Sequence, residues 1–151
     1  MDIKIRYFSD EVPRLSKIEK GDWIDLYAAK DMIIKEHEFV MIPLGIAMKL
    51  PEDYEAIVLP RSSTFKTWGI IMTNSAGVID NSYSGTNDQW HFPAYCLDPK
   101  TFYCGNKVTK INKGDKICQF RIQKRMEPVN FIECEELDST DRGGFGTTGA
   151  R

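Results

Sequence analysis

The sequence predicts one all-β domain of the sandwich, barrel or jelly-roll class. Apolar residues recur at a period near two in short runs, as in strands that bury one face. Turn residues interrupt these runs at intervals of roughly eight to twelve residues, the spacing of small β domains. A length of 151 residues fits a single domain, and the chain shows no internal repeat, no linker and no convincing helical stripe.

The expected strands begin at the amino terminus, where Ile3, Ile5 and Tyr7 alternate with charged residues. The later apolar runs expected to form strands are residues 39–42, 46–50, 54–59, 108–111, 117–122 and 129–134. Segments rich in Gly, Pro, Asn and Asp separate them and supply the backbone angles of turns. The best candidate for a short helix is residues 62–66, directly after Pro60-Arg61.

Composition and charge exclude several classes of function. The chain carries 20 Lys and Arg against 22 Asp and Glu, a net charge of −2, so it lacks the basic excess of a protein that neutralises nucleic-acid phosphates. No stretch approaches the roughly 18 apolar residues of a membrane span. The first residues alternate charge with apolar side chains, unlike a signal peptide. We expect a cytoplasmic protein with no membrane and no stable nucleic-acid binding.

The cysteines do not form a metal or disulfide pattern. None falls in a CxxC pair, and two histidines are too few to complete a typical zinc site. We expect four reduced thiols that serve as small apolar residues: Cys96, Cys104, Cys118 and Cys134.

Two segments break the strand pattern. Residues 67–79 carry no charge and are followed by Asp80, and residues 141–151 contain four glycines. The glycine-rich end has few core-forming side chains, so the sequence predicts a β domain over residues 1–140 and a flexible arm over residues 141–151. A cation, an aromatic ring and two hydroxyls among those glycines suit a phosphate-bearing ligand with a flat base: Arg142, Phe145, Thr147 and Thr148.

Two further segments carry polar residues beside apolar runs. Arg61, Ser62 and Ser63 follow an expected strand, where hydroxyls, a guanidinium and backbone N–H groups could bind an anion. Gln119 is a polar residue among apolar neighbours, and from the pattern alone the solvent face of an alternating strand is its better interpretation.

Five ordered segments together resemble the motifs of the homotrimeric dUTP pyrophosphatases (dUTPases). They are residues 21–29 (GDWIDLYAA), 60–63 (PRSS), 77–85 (GVIDNSYSG), 114–119 (GDKICQ) and 142–149 (RGGFGTTG). The resemblance implies a distorted, β-clip-like jelly roll, a homotrimer whose subunits share active sites, and closure of each site by the C-terminal arm. It also implies Mg²⁺-assisted hydrolysis of dUTP to dUMP and pyrophosphate, which limits uracil in DNA and supplies dUMP for dTTP synthesis.

The resemblance also implies a role for each matching residue. Asp80 matches the general base that activates water, and Tyr83 matches the ring that leaves no room for a ribose 2′-hydroxyl. Asn74 and the backbone of Gly77, Val78 and Ile79 match the hairpin that recognises uracil. The positions that match groups contacting or bracing the phosphates are Arg61, Ser62, Ser63, Gln119, Arg142, Thr147 and Thr148.

Asp25 matches a motif-one aspartate that acts on the metal through water or holds the surrounding architecture. Phe145 matches the ring that stacks on uracil, but this fifth motif is two residues shorter than the common form. Residues 86–93 also depart from the usual alternating strand. We therefore expect Trp90 or Phe92 to share or replace the stacking role of Phe145.

Two rival interpretations are also consistent with parts of the sequence. Arg61-Ser62-Ser63 also resembles the dCTP deaminases, but their general-base Glu falls at Trp90 here, and Asp88 lies two residues earlier. The second rival is a phage regulatory protein that binds partner proteins through a dUTPase scaffold. The intact Asp80, Tyr83 and Gln119 argue against an inactive scaffold, although a second role in binding partners is compatible with them.

Overall fold

The computed structural model describes residues 1–144 and confirms the all-β prediction, because these residues form twelve strands and one short helix. The strands are β1 Lys4–Tyr7, β2 Ile24–Tyr27, β3 Met32–Lys35, β4 Phe39–Pro43, β5 Ile46–Lys49, β6 Tyr54–Pro60, β7 Ile70–Met72, β8 Gly77–Ile79, β9 His91–Cys96, β10 Thr101–Tyr103, β11 Asn106–Ile111 and β12 Lys116–Lys124. The helix, α1, is Thr64–Trp68.

The strands form four antiparallel sheets, and most neighbours in a sheet are distant in sequence. Their orders are β1-β5, β10-β11-β3, β2-β12-β6-β8 and β4-β9-β7. The longest strand, β12, lies inside the four-stranded sheet between β2 and β6. Four of the five motif segments therefore meet on one sheet, because β2, β6, β8 and β12 each carry or adjoin one of them.

One hydrophobic core joins these sheets. It takes alternate residues from the strands, and its largest fully buried side chains include Trp90, Phe92 and Phe120. The Trp90 ring packs edge-on against Phe120, with ring centroids 5.3 Å apart. Burying each of these aromatic side chains contributes roughly 1.5–3 kcal/mol to the free energy of unfolding.

The position of Trp90 and Phe92 corrects the expectation that one of them stacks on a bound base. Their exposed fractions are 1% and 0%, and both pack inside the core of the subunit. Residues 91–96 form a strand after all, and its alternating burial directs Phe92 inward. A ring at either position could reach a ligand only by unpacking the core, so neither serves as a lid.

The short helix lies two residues later than predicted. Ser63 is its N-cap residue, without a capping bond from its side chain, and Gly69 ends it in the left-handed region at φ 63°. A Cβ atom on Gly69 would lie 1.7 Å from the carbonyl oxygen of Asp98, so only glycine fits this position.

The predicted strand over residues 129–134 is wrong for the subunit. These residues have no strand partner and are exposed, with Phe131 91% and Ile132 81% accessible. The thiols are divided: Cys96 and Cys118 are buried, as expected of small apolar residues, whereas Cys104 and Cys134 are exposed. Within residues 1–144, no helix has the length and apolar character needed to cross a bilayer.

Candidate active site

Strand register brings the first, second and fourth motif segments together. Gln119 of β12 lies opposite Asp25 of β2 on one side and opposite Leu59 of β6 on the other. Arg61 follows the last residue of β6, so it emerges beside the same part of β12. The sequence could not predict this meeting from spacing alone, because it depends on the order of strands in the sheet.

A cationic cluster forms where these segments meet. The Asp25 carboxylate accepts a hydrogen bond from Arg61 Nε at 2.9 Å and lies 3.0 Å from Lys116 Nζ. Arg61 also donates from Nη1 to the backbone carbonyl oxygen of Lys116 at 3.2 Å. The hydrogen bond from Lys116 to Asp25, and then the charge of Asp25, raise the pKa of Lys116. Two cations around one carboxylate leave a net positive charge that suits a phosphate.

Thr64, which the sequence analysis did not single out, braces this cluster from beneath. Its buried hydroxyl accepts a hydrogen bond from the backbone N–H of Arg61 at 2.8 Å and donates one to the carbonyl oxygen of Ile117 at 2.8 Å. Gln119 adds a second link, because its side-chain amide donates to the Pro60 carbonyl oxygen at 3.3 Å. The side chains of Thr64 and Gln119 thus link the second motif segment to the fourth.

A groove of about 290 Å³ opens next to the cluster. Its lining includes Asp25, Arg61, Ser62 and Gln119, together with Trp23. Four residues that the sequence analysis predicted as site residues therefore share one groove. Ser63 lies at the start of α1, with its hydroxyl not used for capping.

The third motif segment begins on a short edge strand. β8 pairs with β6, placing Gly77 opposite Val58 and Ile79 opposite Ala56. Asn74 lies in the tight turn before β8, where its carbonyl oxygen accepts a hydrogen bond from Ala76 N–H at 2.5 Å. The other edge of β8 has no strand partner within the described residues, and Val78 is 64% exposed. Its backbone groups on that side are therefore open to a ligand.

Asp80 follows β8 and is exposed to solvent. Its Oδ1 accepts hydrogen bonds from the backbone N–H and the hydroxyl of Ser82, both at 2.9 Å. These two bonds, followed by the charge of Arg125, lower the pKa of Asp80 below the ordinary aspartate value. Asp80 and Arg125 both line a cavity of about 260 Å³. The carboxylate is therefore ionised at neutral pH and able to accept a proton.

Tyr83 lies close by in the chain and is partly exposed. Its hydroxyl donates to the carbonyl oxygen of Gln89 at 3.1 Å, which anchors the ring across the loop of residues 84–89. Within this loop, the carboxylate of Asp88 accepts the Gly85 backbone N–H at 2.6 Å. Asp88 is thus engaged in a turn, and the Trp90 ring, at the position that matches the deaminase glutamate, is buried and has no carboxylate to accept a proton.

Asp80 and the cationic cluster lie at opposite ends of β6 within one subunit. Ile79 is level with Ala56, which places Asp80 near Glu55, whereas Arg61 lies just beyond Pro60. At about 3.3 Å per residue, the two groups are separated by roughly 20 Å along the strand. A single bound nucleotide could not place one phosphate against both groups of the same subunit.

The fifth motif segment is described only in part. Arg142 is exposed, and Phe145, Thr147 and Thr148 lie outside the described residues. Residues 1–144 hold no cluster of three or more His, Cys, Asp or Glu side chains that could bind a metal ion.

Known proteins with similar sequences point to one family. The dUTPase family model matches residues 23–149. The SPbeta prophage-derived deoxyuridine 5′-triphosphate nucleotidohydrolase of Bacillus subtilis (strain 168) is 56% identical over 151 residues, which span 100% of both chains. The deoxyuridine 5′-triphosphate nucleotidohydrolase of Finegoldia magna is 37% identical over 153 residues, covering 99% of each chain.

Solved structures support the same fold. A mutant dUTPase of Staphylococcus bacteriophage 80alpha, with dUpNHpp, has a TM-score of 0.79 at 18% identity and covers 98% of both chains. A mutant dUTPase from phage phi11 of S. aureus, which coordinates a structural Mg(II) ion, has a TM-score of 0.76 at 18% identity. That similarity covers 92% of this chain and 100% of the phi11 chain. Because the family model spans nearly all of the chain and named nucleotidohydrolases are 56% and 37% identical along their full lengths, this chain belongs to the dUTPase family.

Proposed function

We propose that this chain hydrolyses dUTP to dUMP and pyrophosphate. The observation that carries the proposal is the Asp25–Arg61–Lys116 cluster beside Ser62 and Gln119, in a chain that also presents an exposed, ionised Asp80. The first group suits a triphosphate and the second suits activation of water. In a cell, this reaction would limit uracil incorporation into DNA and supply dUMP for dTTP synthesis, and we assign it to the cytoplasm.

The phosphates bind at the cationic cluster. Asp25 holds Arg61 through Nε, and the Lys116 carbonyl holds one N–H of Nη1, so three of the five guanidinium N–H groups remain for phosphate oxygens. The Ser62 and Ser63 hydroxyls and the Gln119 amide extend this set of donors. Fixing the guanidinium before substrate binds reduces the entropy lost when a bidentate phosphate contact forms.

Asp80 serves as the general base in the proposed reaction. It accepts a proton from a water molecule as that water attacks the α-phosphorus, and the bond to the pyrophosphate leaving group breaks. The hydrogen bonds from Ser82 favour the ionised form, so the acceptor is present at neutral pH. A positioned base of this kind contributes a rate factor of roughly 10²–10⁴.

The nucleoside is recognised by the turn and edge strand that precede Asp80. Asn74 and the open backbone edge of Gly77, Val78 and Ile79 supply donors and acceptors for the uracil edge. Tyr83 packs against the deoxyribose and excludes a 2′-hydroxyl. A polar group of the wrong base left unpaired in a closed site costs about 1–3 kcal/mol, which favours uracil over cytosine.

The site fits Mg²⁺ as an ion carried largely by the triphosphate. Mg²⁺ commonly binds one or two carboxylates together with substrate phosphates and keeps several waters. Both oxygens of Asp25 are already paired with cations, so Asp25 would contact the ion through water. When bound, Mg²⁺ neutralises charge on the phosphates and on the departing pyrophosphate.

The enzyme acts as a homotrimer whose subunits share active sites. The separation of roughly 20 Å between Asp80 and Arg61 supports this arrangement, since a general base must come within hydrogen-bond reach of the attacking water. One subunit would supply the cationic cluster and a second would supply Asp80, Tyr83 and the uracil edge. The C-terminal arm, with Arg142, Phe145, Thr147 and Thr148, would close over the bound triphosphate.

Product analysis tests the proposal. Purified protein is incubated with Mg²⁺ and, separately, with dUTP, UTP and dCTP, and the products are resolved by ion-exchange chromatography. We expect dUMP and pyrophosphate from dUTP, little product from UTP, and no deamination of dCTP. Formation of dUTP from dCTP would instead show a deaminase, and an absence of turnover on all three would favour a binding protein built on this scaffold. Binding of this chain to a phage regulatory partner protein is a separate hypothesis.

A further inference from the structure

The amino-terminal strand reaches the loop that follows Tyr83. Arg6 of β1 donates from Nη1 to the backbone carbonyl oxygen of Thr86 and to Oδ1 of Asn87, both at 2.8 Å. Its guanidinium also lies 4.5 Å from the centroid of the Phe8 ring, which restricts its orientation. Arg6 thus joins segments that are 80 residues apart in sequence.

The far end of the same loop is held by backbone and amide contacts. Gly45 N–H donates to Oε1 of Gln89 at 3.2 Å, and Trp90 N–H donates to the Ile46 carbonyl oxygen at 2.9 Å. The carbonyl oxygen of Gln89 in turn accepts the hydroxyl of Tyr83. This end of the loop is therefore fixed to the body of the subunit independently of Arg6.

The near end depends on Arg6 for its tertiary contact with β1. Residues 85–88 are otherwise closed by local bonds: Gly85 N–H to Asp88 Oδ2 at 2.6 Å, and Asp88 N–H to the Gly85 carbonyl oxygen at 3.1 Å. Such a turn keeps its own shape but could rotate as a unit. The Tyr83 backbone continues directly into this turn, while its hydroxyl is fixed at Gln89.

We propose that Arg6 is a positioning residue for Tyr83, and that through the carbonyl of Thr86 and the amide of Asn87 it sets how closely the Tyr83 ring approaches the sugar of the bound nucleotide. The proposal rests on the proposed dUTP hydrolysis and extends it to sugar selectivity. A 2′-hydroxyl is one oxygen atom, so a shift of the ring by a fraction of that size changes whether a ribose fits.

The test compares Arg6→Gln and Asn87→Ala with the control Lys4→Gln. Lys4 lies two residues from Arg6 on β1 and loses the same charge when replaced by Gln. We expect the ratio of kcat/KM for dUTP to kcat/KM for UTP to fall about three- to tenfold in Arg6→Gln. Asn87→Ala should lower it less, because the bond to the Thr86 carbonyl survives, and Lys4→Gln should leave it unchanged. Asn87→Asp, which keeps the acceptor, should retain the ratio.

Hydrogen exchange of the ligand-free protein gives a readout that does not depend on activity. The amides of Gly85 and Asp88, which close the turn that Arg6 contacts, should exchange faster in Arg6→Gln than in the parent or in Lys4→Gln. If Arg6→Gln does not fold, the exchange rates and the selectivity ratio of Asn87→Ala, which lies in the exposed loop, are compared with those of the parent and of Lys4→Gln instead.

The outcomes separate this proposal from the proposed function. A parent protein without dUTP hydrolysis would overturn the function, while the exchange experiment would still test the contact itself. An active parent whose selectivity ratio is unchanged in Arg6→Gln would overturn the positioning role of Arg6. So would an equal loss of selectivity in Lys4→Gln, because that would reflect charge rather than the bonds to Thr86 and Asn87.

Discussion

The hydroxyl of Thr64 donates a hydrogen bond to the carbonyl oxygen of Ile117 at 2.8 Å, joining the start of α1 to the start of β12. The same hydroxyl accepts the backbone N–H of Arg61. One fully buried side chain thus fixes the spacing between the second and fourth motif segments. Correct placement of Arg61 beside Lys116 depends on this spacing.

Replacing Thr64 tests this dependence. Thr64→Val keeps the shape but leaves the Arg61 N–H and the Ile117 carbonyl without their partner, so we expect a loss of about 1–3 kcal/mol in the free energy of unfolding. We also expect a higher KM for dUTP, measured by pyrophosphate release. Thr64→Ser is the matched control, because it keeps the hydroxyl and should retain the parent KM. Equal KM values for the parent and Thr64→Val would contradict the bracing role.

Asp80→Asn tests the general base. The amide keeps the shape of the carboxylate but cannot accept the proton, so turnover should fall at least about 100-fold while dUTP still binds. Single-turnover kinetics and equilibrium binding of dUTP separate these effects. Asp10→Asn, at an exposed aspartate outside the motif segments, should leave turnover unchanged. A loss of less than about tenfold would mean that another group activates the water.

Ser82→Ala tests the cause of the lowered pKa of Asp80. The variant removes the hydroxyl bond and keeps the backbone bond, so the pKa of Asp80 should rise toward the ordinary aspartate value. A lowered pKa means that the stabilising effect of this carboxylate is present above the ordinary value and is lost as the pH falls through the lowered one. The variant should therefore lose this effect at higher pH than the parent. Heteronuclear NMR titration of the Asp80 carboxyl carbon measures the shift, and identical titration curves would exclude the role of the hydroxyl.

Mixed trimers test whether subunits share sites. Asp80→Ala and Arg61→Ala chains should each be inactive alone. When they are unfolded and reassembled together in equal amounts, about one quarter of the sites should receive both an intact Asp80 and an intact Arg61 from different chains. Activity would then return to about that fraction of the parent level. If native mass spectrometry shows mixed trimers without any recovered activity, each site must lie within one subunit.

Removing the arm tests its contribution to catalysis. Deletion of residues 141–151 should leave the melting temperature nearly unchanged, because residues 141–144 are exposed, and should strongly reduce kcat. Phe145→Ala should likewise impair turnover without lowering stability. Phe92→Ala provides the contrast: loss of a fully buried ring should cost about 3–5 kcal/mol of unfolding free energy. If Phe145→Ala behaved like the parent, the tail ring would not cover the base.

The period-two pattern predicted the strands that bury one face. It missed strands that contain residues unfavourable for a strand, such as proline. β9 lies between β4 and β7, yet it contains Pro93, a residue that usually marks an edge strand or a break. Residues 129–134 show the opposite case, since their apolar pattern is that of a strand but the subunit offers them no partner. The local pattern of apolar residues indicates which face of a segment can be buried. The strand with which the segment pairs is determined by other parts of the chain.

The motif segments predicted most of the candidate site, but not how its parts are held. Lys116 lies inside the fourth segment, so its charge was visible in the sequence, but its position beside Arg61 depends on the order of strands in the sheet. Thr64 gave no such signal, because a threonine near the start of a helix suggests a local capping role rather than a link to a distant strand. The prediction for Trp90 and Phe92 was wrong because aromatic residues near a binding loop suggest a ligand contact. Alternating burial along β9 places Phe92 in the core, and Trp90, the residue before β9, is buried as well.

The exposed apolar side chains of residues 126–137 have a consequence for the stability of the protein at low concentration. Met126, Phe131, Ile132 and Leu137 are each more than three-quarters accessible in the isolated subunit. Covering side chains of this size stabilises a protein by about 1.5–3 kcal/mol each, and a neighbouring subunit can supply that cover. Under the proposed trimer, part of the folding free energy is then governed by mass action, so the melting temperature rises with protein concentration. In a newly synthesised chain at low concentration, this segment would be accessible to proteases until the subunits assemble.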